Sequence, residues 1–267
     1  MTFESTALLA RLERYYDAVP RTAARAEDIG PLTLFVTEGP GWPYYARPTL
    51  GATGEVTRAD VEAVRVRQRE LGIPEAFEWV SETTPGLLAP VEASGLVAHA
   101  YPLLVLDSTQ WTAHEPPPGV SVRQLDADDP AVDASRAVAS LAFAHAGVAV
   151  GDAREVTLAP EDGSLERLRA RMRKGLTITV LASDDAGPLG SGSHQPVDGV
   201  TEVVGVGTVP AARRRGVGAA ITSVLVGDAL RTGADVIFLS AGSEDVARIY
   251  RRLGFVDVGT AYVAEAE

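Results

Sequence analysis

The chain of 267 residues is long enough for one large domain or two small ones, each able to bury a core. Its 46% apolar content and mixed charge describe a folded globular protein, and no run reaches the roughly 18 apolar residues of a membrane-spanning helix. The absence of cysteine excludes disulfides, thiolate nucleophiles and cysteine-held zinc; the net charge of −12 argues against nucleic acid as a partner and favours small cations or amines.

The first stretch, MTFESTALLARLERYY, carries Glu4 and Glu13 and has neither a basic leader region nor a small-residue cleavage site, so a cytoplasmic protein is expected. Periodicity then predicts a strand around Trp42 to Arg47, a helix from Arg58 to Leu71, a strand from Ala76 to Val80, a helix from Pro85 to Ala93, Gly95, and a strand from Val97 to Leu106. The segment HEPPPG, His114 to Gly119, can continue neither a helix nor a central strand, because three prolines supply no backbone donors. It reads as a linker between a domain spanning 1–115 and one spanning 116–267.

Beyond the linker the pattern gives a strand at Val120 to Leu125, a helix from Pro130 to His145, a charged amphipathic helix from Leu165 to Met172 and a strand from Leu176 to Ala182. A hairpin partner, Leu189 to Gln195, is followed by an Asp-Gly turn and a strand from Thr201 to Val209. A helix from about Gly216 to Arg231 stops at Gly233, and Val236 to Ser240 is a compact apolar strand. Ser243 caps a last helix whose stop is Gly254. The order is that of a mixed α/β layer structure.

The stretch TVPAARRRGVGAAI, Thr208 to Ile221, joins a strand to a helix. It lacks the Gly-Lys of a P-loop, and Pro210 stands where a dinucleotide fingerprint needs its third glycine. What remains is Arg213-x-x-Gly216-x-Gly218 opening a helix. The first backbone donors of a helix have no intrahelical partner and point at whatever anion approaches, and glycine there removes the Cβ atoms that would hold a bulky phosphate off. The geometry suits a pyrophosphate.

Two segments in order resemble the GNAT superfamily of acyl-CoA N-acetyltransferases. RRRGVG, Arg213 to Gly218, is similar to the family's pyrophosphate loop, with Pro210 three residues earlier. SEDVARIYRRLGF, Ser243 to Phe255, resembles its second motif, with Ser243 in place of the usual Asn and Val246 in place of Ala. The resemblance covers roughly 120–264 and implies a mixed, mostly antiparallel sheet flanked by helices, preceded by a smaller α/β N-terminal domain.

It also implies acetyl-CoA as co-substrate, no metal, and direct transfer of the acetyl group to a primary amine in a ternary complex. Carried over, the family's pattern places Val206, Gly207 and Thr208 along the pantetheine, on a strand that splays from its neighbour. A backbone N–H near Val206 would serve as oxyanion donor. The coenzyme's phosphates would fall to Arg213, Arg214, Arg215, Gly216, Val217, Gly218 and Ala219, with Ser243 also on the coenzyme side. Tyr250 is the implied acid and Glu202 the implied base.

The residues alone leave other readings open. Tyr250 shares a helix face with Val246, Ile249 and Leu253, as a core tyrosine would. Glu202 reads equally as the exposed end of a strand, and His145 and His194 are further candidates for the base. The four histidines show no metal-ligand spacing. A non-catalytic, acyl-CoA-responsive binding or regulatory module is the alternative to an enzyme. The expected acceptor is a small, cationic amine, with neither nucleic acid nor membrane as partner; the loop from Ala146 to Pro160 and the N-terminal domain are expected on its side.

When Gly95-Leu96 is laid on Gly254-Phe255, Val91 falls on Tyr250, and nothing between Arg47 and Arg58 resembles RxxGxG. The N-terminal domain is therefore read as a degenerate GNAT-like repeat, against the alternative of an unrelated cap.

Overall fold

The computed structural model describes residues 3–39, 41, 43–158 and 162–266. In chain order the elements are α1 (Phe3–Arg21), β1 (Ala24–Ile29), β2 (Leu32–Thr37), β3 (Ala46–Pro48), α2 (Arg58–Leu71), β4 (Ala76–Val80), α3 (Leu88–Ala93) and β5 (Val97–Leu106). Then come β6 (Ser121–Gln124), α4 (Ala131–Ala144), α5 (Ser164–Arg173), β7 (Ile178–Asp184), β8 (Gly187–Val197) and β9 (Val200–Thr208). After a 3-10 turn at Pro210–Ala212 follow α6 (Val217–Arg231), β10 (Val236–Ser240), α7 (Glu244–Arg251) and β11 (Phe255–Glu265). Strand pairing is mixed and mostly antiparallel, β3 with β4 and β9 with β10 being parallel. This is the expected α/β class.

The chain forms two compact units, Met1–Leu103 with Val258–Glu267, and Leu104–Asp257. The division falls at Leu103 rather than at the prolines of His114 to Gly119, and the last ten residues belong to the first unit. The prolines break the hydrogen-bonding pattern, but His114 donates its backbone N–H to the Ser223 hydroxyl on α6 at 2.8 Å, so this segment lies on the second unit. Proline content marks the end of regular structure; packing decides which side the segment joins.

In the first unit, β1 to β4 lie in sequence order, with β11 antiparallel to β4. One face is sealed by Leu32, Leu34, Phe77, Trp79, Leu87 and Val91, all buried; Trp79 stacks on Tyr262 at 4.9 Å. Helix α2 begins with a reciprocal cap: the Asp60 N–H donates to the Thr57 hydroxyl at 3.3 Å and the Thr57 N–H donates to the Asp60 carboxylate at 2.8 Å. Arg47, fully buried, pairs with Glu13 and lies over the Tyr16 ring at 5.0 Å. Burial pushes the nearby Glu78 carboxyl up to about 7; Arg47 opposes the rise and Glu265 adds to it. Helix α1 and the β1–β2 hairpin occupy a region where sequence periodicity assigned no element, and Trp42, the expected start of a strand, lies outside the described residues. That strand is only Ala46–Pro48, and the helix expected from Pro85 starts at Leu88, after Pro85 and Gly86.

In the second unit the strands run β10-β9-β8-β7-β6. Their core is built from Val180, Leu189, Val203, Ile221, Leu225 and Phe255 among others, with α4 and α6 packed on β8 and β9. The approach of α4 is close: a Cβ on Gly207 would stand 2.7 Å from the Ala142 Cβ. Glycine at 207 is thus demanded by helix packing on the strand.

Candidate active site

The site grows from one strand, β9, and the turn that ends it. The parallel pairing of β9 with β10 runs from Val200 with Val236 to Glu202 with Phe238 and stops there, although β9 continues to Thr208 and β10 to Ser240. On its other side β9 stays paired with β8, through a register shift between Ser191 and Ser193 that gives β9 one extra residue. Gly205, with φ of +63°, lies in that bulge. From Val203 onward the edge of β9 that faced β10 is therefore free of strand partners among the described residues. Val206, Gly207 and Thr208 lie on this splayed part, and Glu202 sits where the two strands part. The splaying that the resemblance implied is present.

The chain then turns through Pro210–Ala212 and enters α6 by way of two residues in the left-handed region, Arg214 with φ of +60° and Gly216 with φ of +88°. Gly216 is the N-cap of α6 and has no side chain with which to cap it. The first intrahelical bond runs from the Ala220 N–H to the Gly216 carbonyl at 3.0 Å. The N–H groups of Gly216, Val217, Gly218 and Ala219 have no backbone acceptor among the described residues, as the geometry of a helix start requires. They form an outward-facing set of donors at the positive end of a fifteen-residue helix. The Thr208 hydroxyl lies 3.6 Å from where a Cβ on Gly218 would be, so the end of β9 and the start of α6 are neighbours.

The three arginines divide in role. Arg214 and Arg215 are exposed and have no hydrogen-bond partner among the described residues, which leaves them available to an anion at the helix start. Arg213 is not. Its guanidinium donates to the carbonyls of Thr208 at 3.2 Å, Ala149 at 3.1 Å and Ala142 at 3.0 Å, and to that of His145. Sequence placed Arg213 on the coenzyme's phosphates; the structure gives its side chain to the protein's own backbone.

Tyr250 projects from α7 into the core of the second unit, its ring edge-on to Phe255 at 5.8 Å. Its hydroxyl lies beside Thr222, whose own hydroxyl donates to the Gly218 carbonyl at 2.9 Å. Burial pushes the Tyr250 hydroxyl up to about 12, so it remains a proton donor at any physiological pH. Thr222 carries no sequence signal of its own, yet it joins the tyrosine to the first turn of α6. Ser243 caps α7 by accepting the Val246 N–H at 3.3 Å.

The histidines are committed elsewhere. His194 is fully buried, with Nδ1 2.9 Å from the Thr201 hydroxyl and Nε2 3.0 Å from the Asp228 carboxylate. Burial holds it below the usual histidine range despite Asp228. His145, exposed, bonds through Nδ1 to the Leu141 carbonyl at 3.1 Å. Among the described residues no group of three His, Asp or Glu side chains could hold a metal ion, and no helix is long and apolar enough to cross a membrane. The expected acceptor loop is described through Leu158; Ala159 and Pro160 lie outside the described residues. A cleft of about 550 Å³ is bounded by Ala134, Pro188 and, from the expected acceptor loop, Arg154, Glu155, Val156 and Leu158; none of the expected catalytic or coenzyme-binding residues lines it.

Residues 152–255 match the model of the acetyltransferase (GNAT) family. Among solved structures the chain is similar to a GCN5-related N-acetyltransferase from Kribbella flavida, at 26% identity over 100% of this chain and 96% of that one, with a TM-score of 0.70. It shares its fold with a GCN5-related N-acetyltransferase from Sphaerobacter thermophilus, at 18% identity over 89% of this chain and 81% of that one, with a TM-score of 0.56. It shares it also with a tandem GNAT protein from the clavulanic acid biosynthesis pathway, at 16% identity over 88% of this chain and 78% of that one, with a TM-score of 0.55. No curated protein sequence matches the chain.

Proposed function

We propose, on the premise that residues 152–255 belong to the acetyltransferase (GNAT) family, that this chain moves the acetyl group of acetyl-CoA to a primary amine by direct attack within a ternary complex. The observation that carries the reading is the uncapped start of α6 directly after the splayed end of β9. The four free N–H groups at Gly216 to Ala219, with exposed Arg214 and Arg215, fit a pyrophosphate, and the unpaired edge of β9 fits an extended pantetheine arm. The coenzyme, when bound, supplies a thioester whose carbonyl carbon accepts the amine.

In this reading Val206, Gly207 and Thr208 orient the pantetheine, and a backbone N–H near Val206 stabilises charge on the thioester oxygen. Tyr250 gives a proton to the departing sulfur, and Glu202, at the parting of β9 and β10, takes one from the amine, directly or through water. Holding both reactants in one cleft supplies much of the acceleration. The charge of −12 favours a cationic small amine over an anionic one. The first unit is the degenerate repeat of this domain: α2-β4-α3-β5 runs in the order of α6-β10-α7-β11, and Gly95 and Gly254 follow their helices with φ of +90° and +93°.

The test is incubation with acetyl-CoA and a broad panel of amines, following release of the coenzyme thiol and the thermal midpoint. Thiol release dependent on one class of amine is the expected result. Absence of both thiol release and stabilisation by acetyl-CoA would overturn the proposal. Stabilisation without thiol release from any amine would favour a coenzyme-responsive binding module, the reading that the burial of the Tyr250 hydroxyl against Thr222 supports.

A further inference from the structure

The loop after α4 is built onto the turn between β9 and α6. The Gly151 N–H donates to the Pro210 carbonyl at 3.2 Å, and the Ala211 N–H donates to the Ala153 carbonyl at 3.2 Å. Between these two bonds and the end of α4 stands the Arg213 guanidinium, bonded to the carbonyls of Ala142, His145 and Ala149 on the loop side and of Thr208 on the strand side. Ala142 lies in the last turn of α4 and His145 just beyond it, where helix carbonyls lack intrahelical partners and the helix dipole is negative. A planar cation with several diverging donors satisfies them; a lysine ammonium, a point charge with three donors, could not span the set. The neighbouring Arg214 and Arg215 make no such bonds.

The clamp fixes what faces the splayed end of β9. Ala142 is the residue pressed on Gly207, and the Phe143 ring comes within 3.8 Å of where a Gly207 Cβ would stand. Phe143 and Val150 are large apolar side chains, each 60% exposed, on the segment that Arg213 holds. An apolar surface is thereby kept beside Gly207 at the strand end.

We infer that Arg213 is a positioning residue that couples the phosphate-binding turn to the wall formed by the end of α4 and residues 145–153. The inference rests on the proposed coenzyme site. Its backbone belongs to the turn that an anion at Gly216 to Ala219 would immobilise; its side chain carries that rigidity to the Phe143 and Val150 wall. Occupancy of the cradle and order of the wall are then linked states of one element, and ordering one lowers the cost of ordering the other.

Amide hydrogen exchange with and without coenzyme A, on the full chain and on Arg213→Lys and Arg213→Ala, tests this. In the wild type, coenzyme A should slow exchange at Gly216 to Ala219 and also across 144–153, the second effect by about fivefold or more, the lower range of measured couplings. Both variants should keep the protection at Gly216 to Ala219 and lose that across 144–153, with lysine retaining more than alanine. No protection at Gly216 to Ala219 in the wild type would sink the coenzyme site itself. Protection there with none across 144–153, or loop protection unchanged in both variants, would overturn the coupling alone. A folded Arg213→Lys protein that no longer binds coenzyme A would show instead that Arg213 acts on the phosphates. Should Arg213→Ala fail to fold, the wild-type comparison and the lysine variant still decide the question.

Discussion

Two helices of this chain, α2 and α6, begin in opposite ways. The start of α2 is closed on itself: Thr57 and Asp60 exchange hydrogen bonds, and the Asp60 carboxyl is held below its usual range chiefly by the Thr57 hydroxyl, with the Thr57 N–H adding to it. The start of α6 is open, with a glycine cap in the left-handed region and its first donors directed outward. A helix end that supplies its own anion has no use for another. In the next helix of each unit, α3 and α7, the contrast recurs, with fully buried Val91 in the first unit where the proposed repeat alignment puts Tyr250 and its hydroxyl in the second. In the proposed reading the second unit binds through the donors left open at the start of α6, which the start of α2 closes with its own side chains.

Making the second unit resemble the first should remove function stepwise. Tyr250→Phe deletes the hydroxyl and keeps the ring against Phe255; turnover should fall by about 10²-fold or more, the range for a positioned general acid, with coenzyme affinity unchanged in a titration. An unaltered turnover number would make Tyr250 a core tyrosine only. Gly216→Val forces a β-branched residue to φ of +88° at the cradle; a cost of about 1–3 kcal/mol in holding that shape should weaken coenzyme binding by roughly 5- to 150-fold in calorimetry. The corresponding change in the first unit, Thr57→Ala, should lower stability by about 1 kcal/mol in denaturant titration and leave coenzyme affinity untouched.

The smallest expected effect separates the units by pH. Glu78 in the first unit is raised from 4.5 to about 7, so its contribution is complete below pH 4.5 and is lost as pH rises through 7. His194 in the second unit is held below its unfolded value of 6.5, so stability falls as pH drops below that value and the unfolded chain takes up the proton first. Glu78→Gln should therefore raise the thermal midpoint at pH 8 and not at pH 4, an effect on the order of 1 kcal/mol for this half-buried side chain. A gain of equal size at both pH values would dismiss the titration as its cause.

The sequence by itself settled the features written in neighbouring residues: the strand, proline and glycines around Pro210 to Gly218, the Ser243 cap, and the boundaries of α2, β4 and β5. Local punctuation and periodicity act over a few residues, and so they survive any tertiary arrangement. The roles of side chains whose partners lie far along the chain were not legible. Arg213 reaches carbonyls 64 to 71 residues away, and His194 meets an aspartate 34 residues on. Only the packing of α4 over β9 turned an arginine in a phosphate motif into a clamp, and only burial between α6 and β8 turned a candidate base into a core histidine. Hydrogen-bond donors in a folded chain go to whichever acceptors packing brings within 3 Å or so, and that choice was made by the tertiary structure.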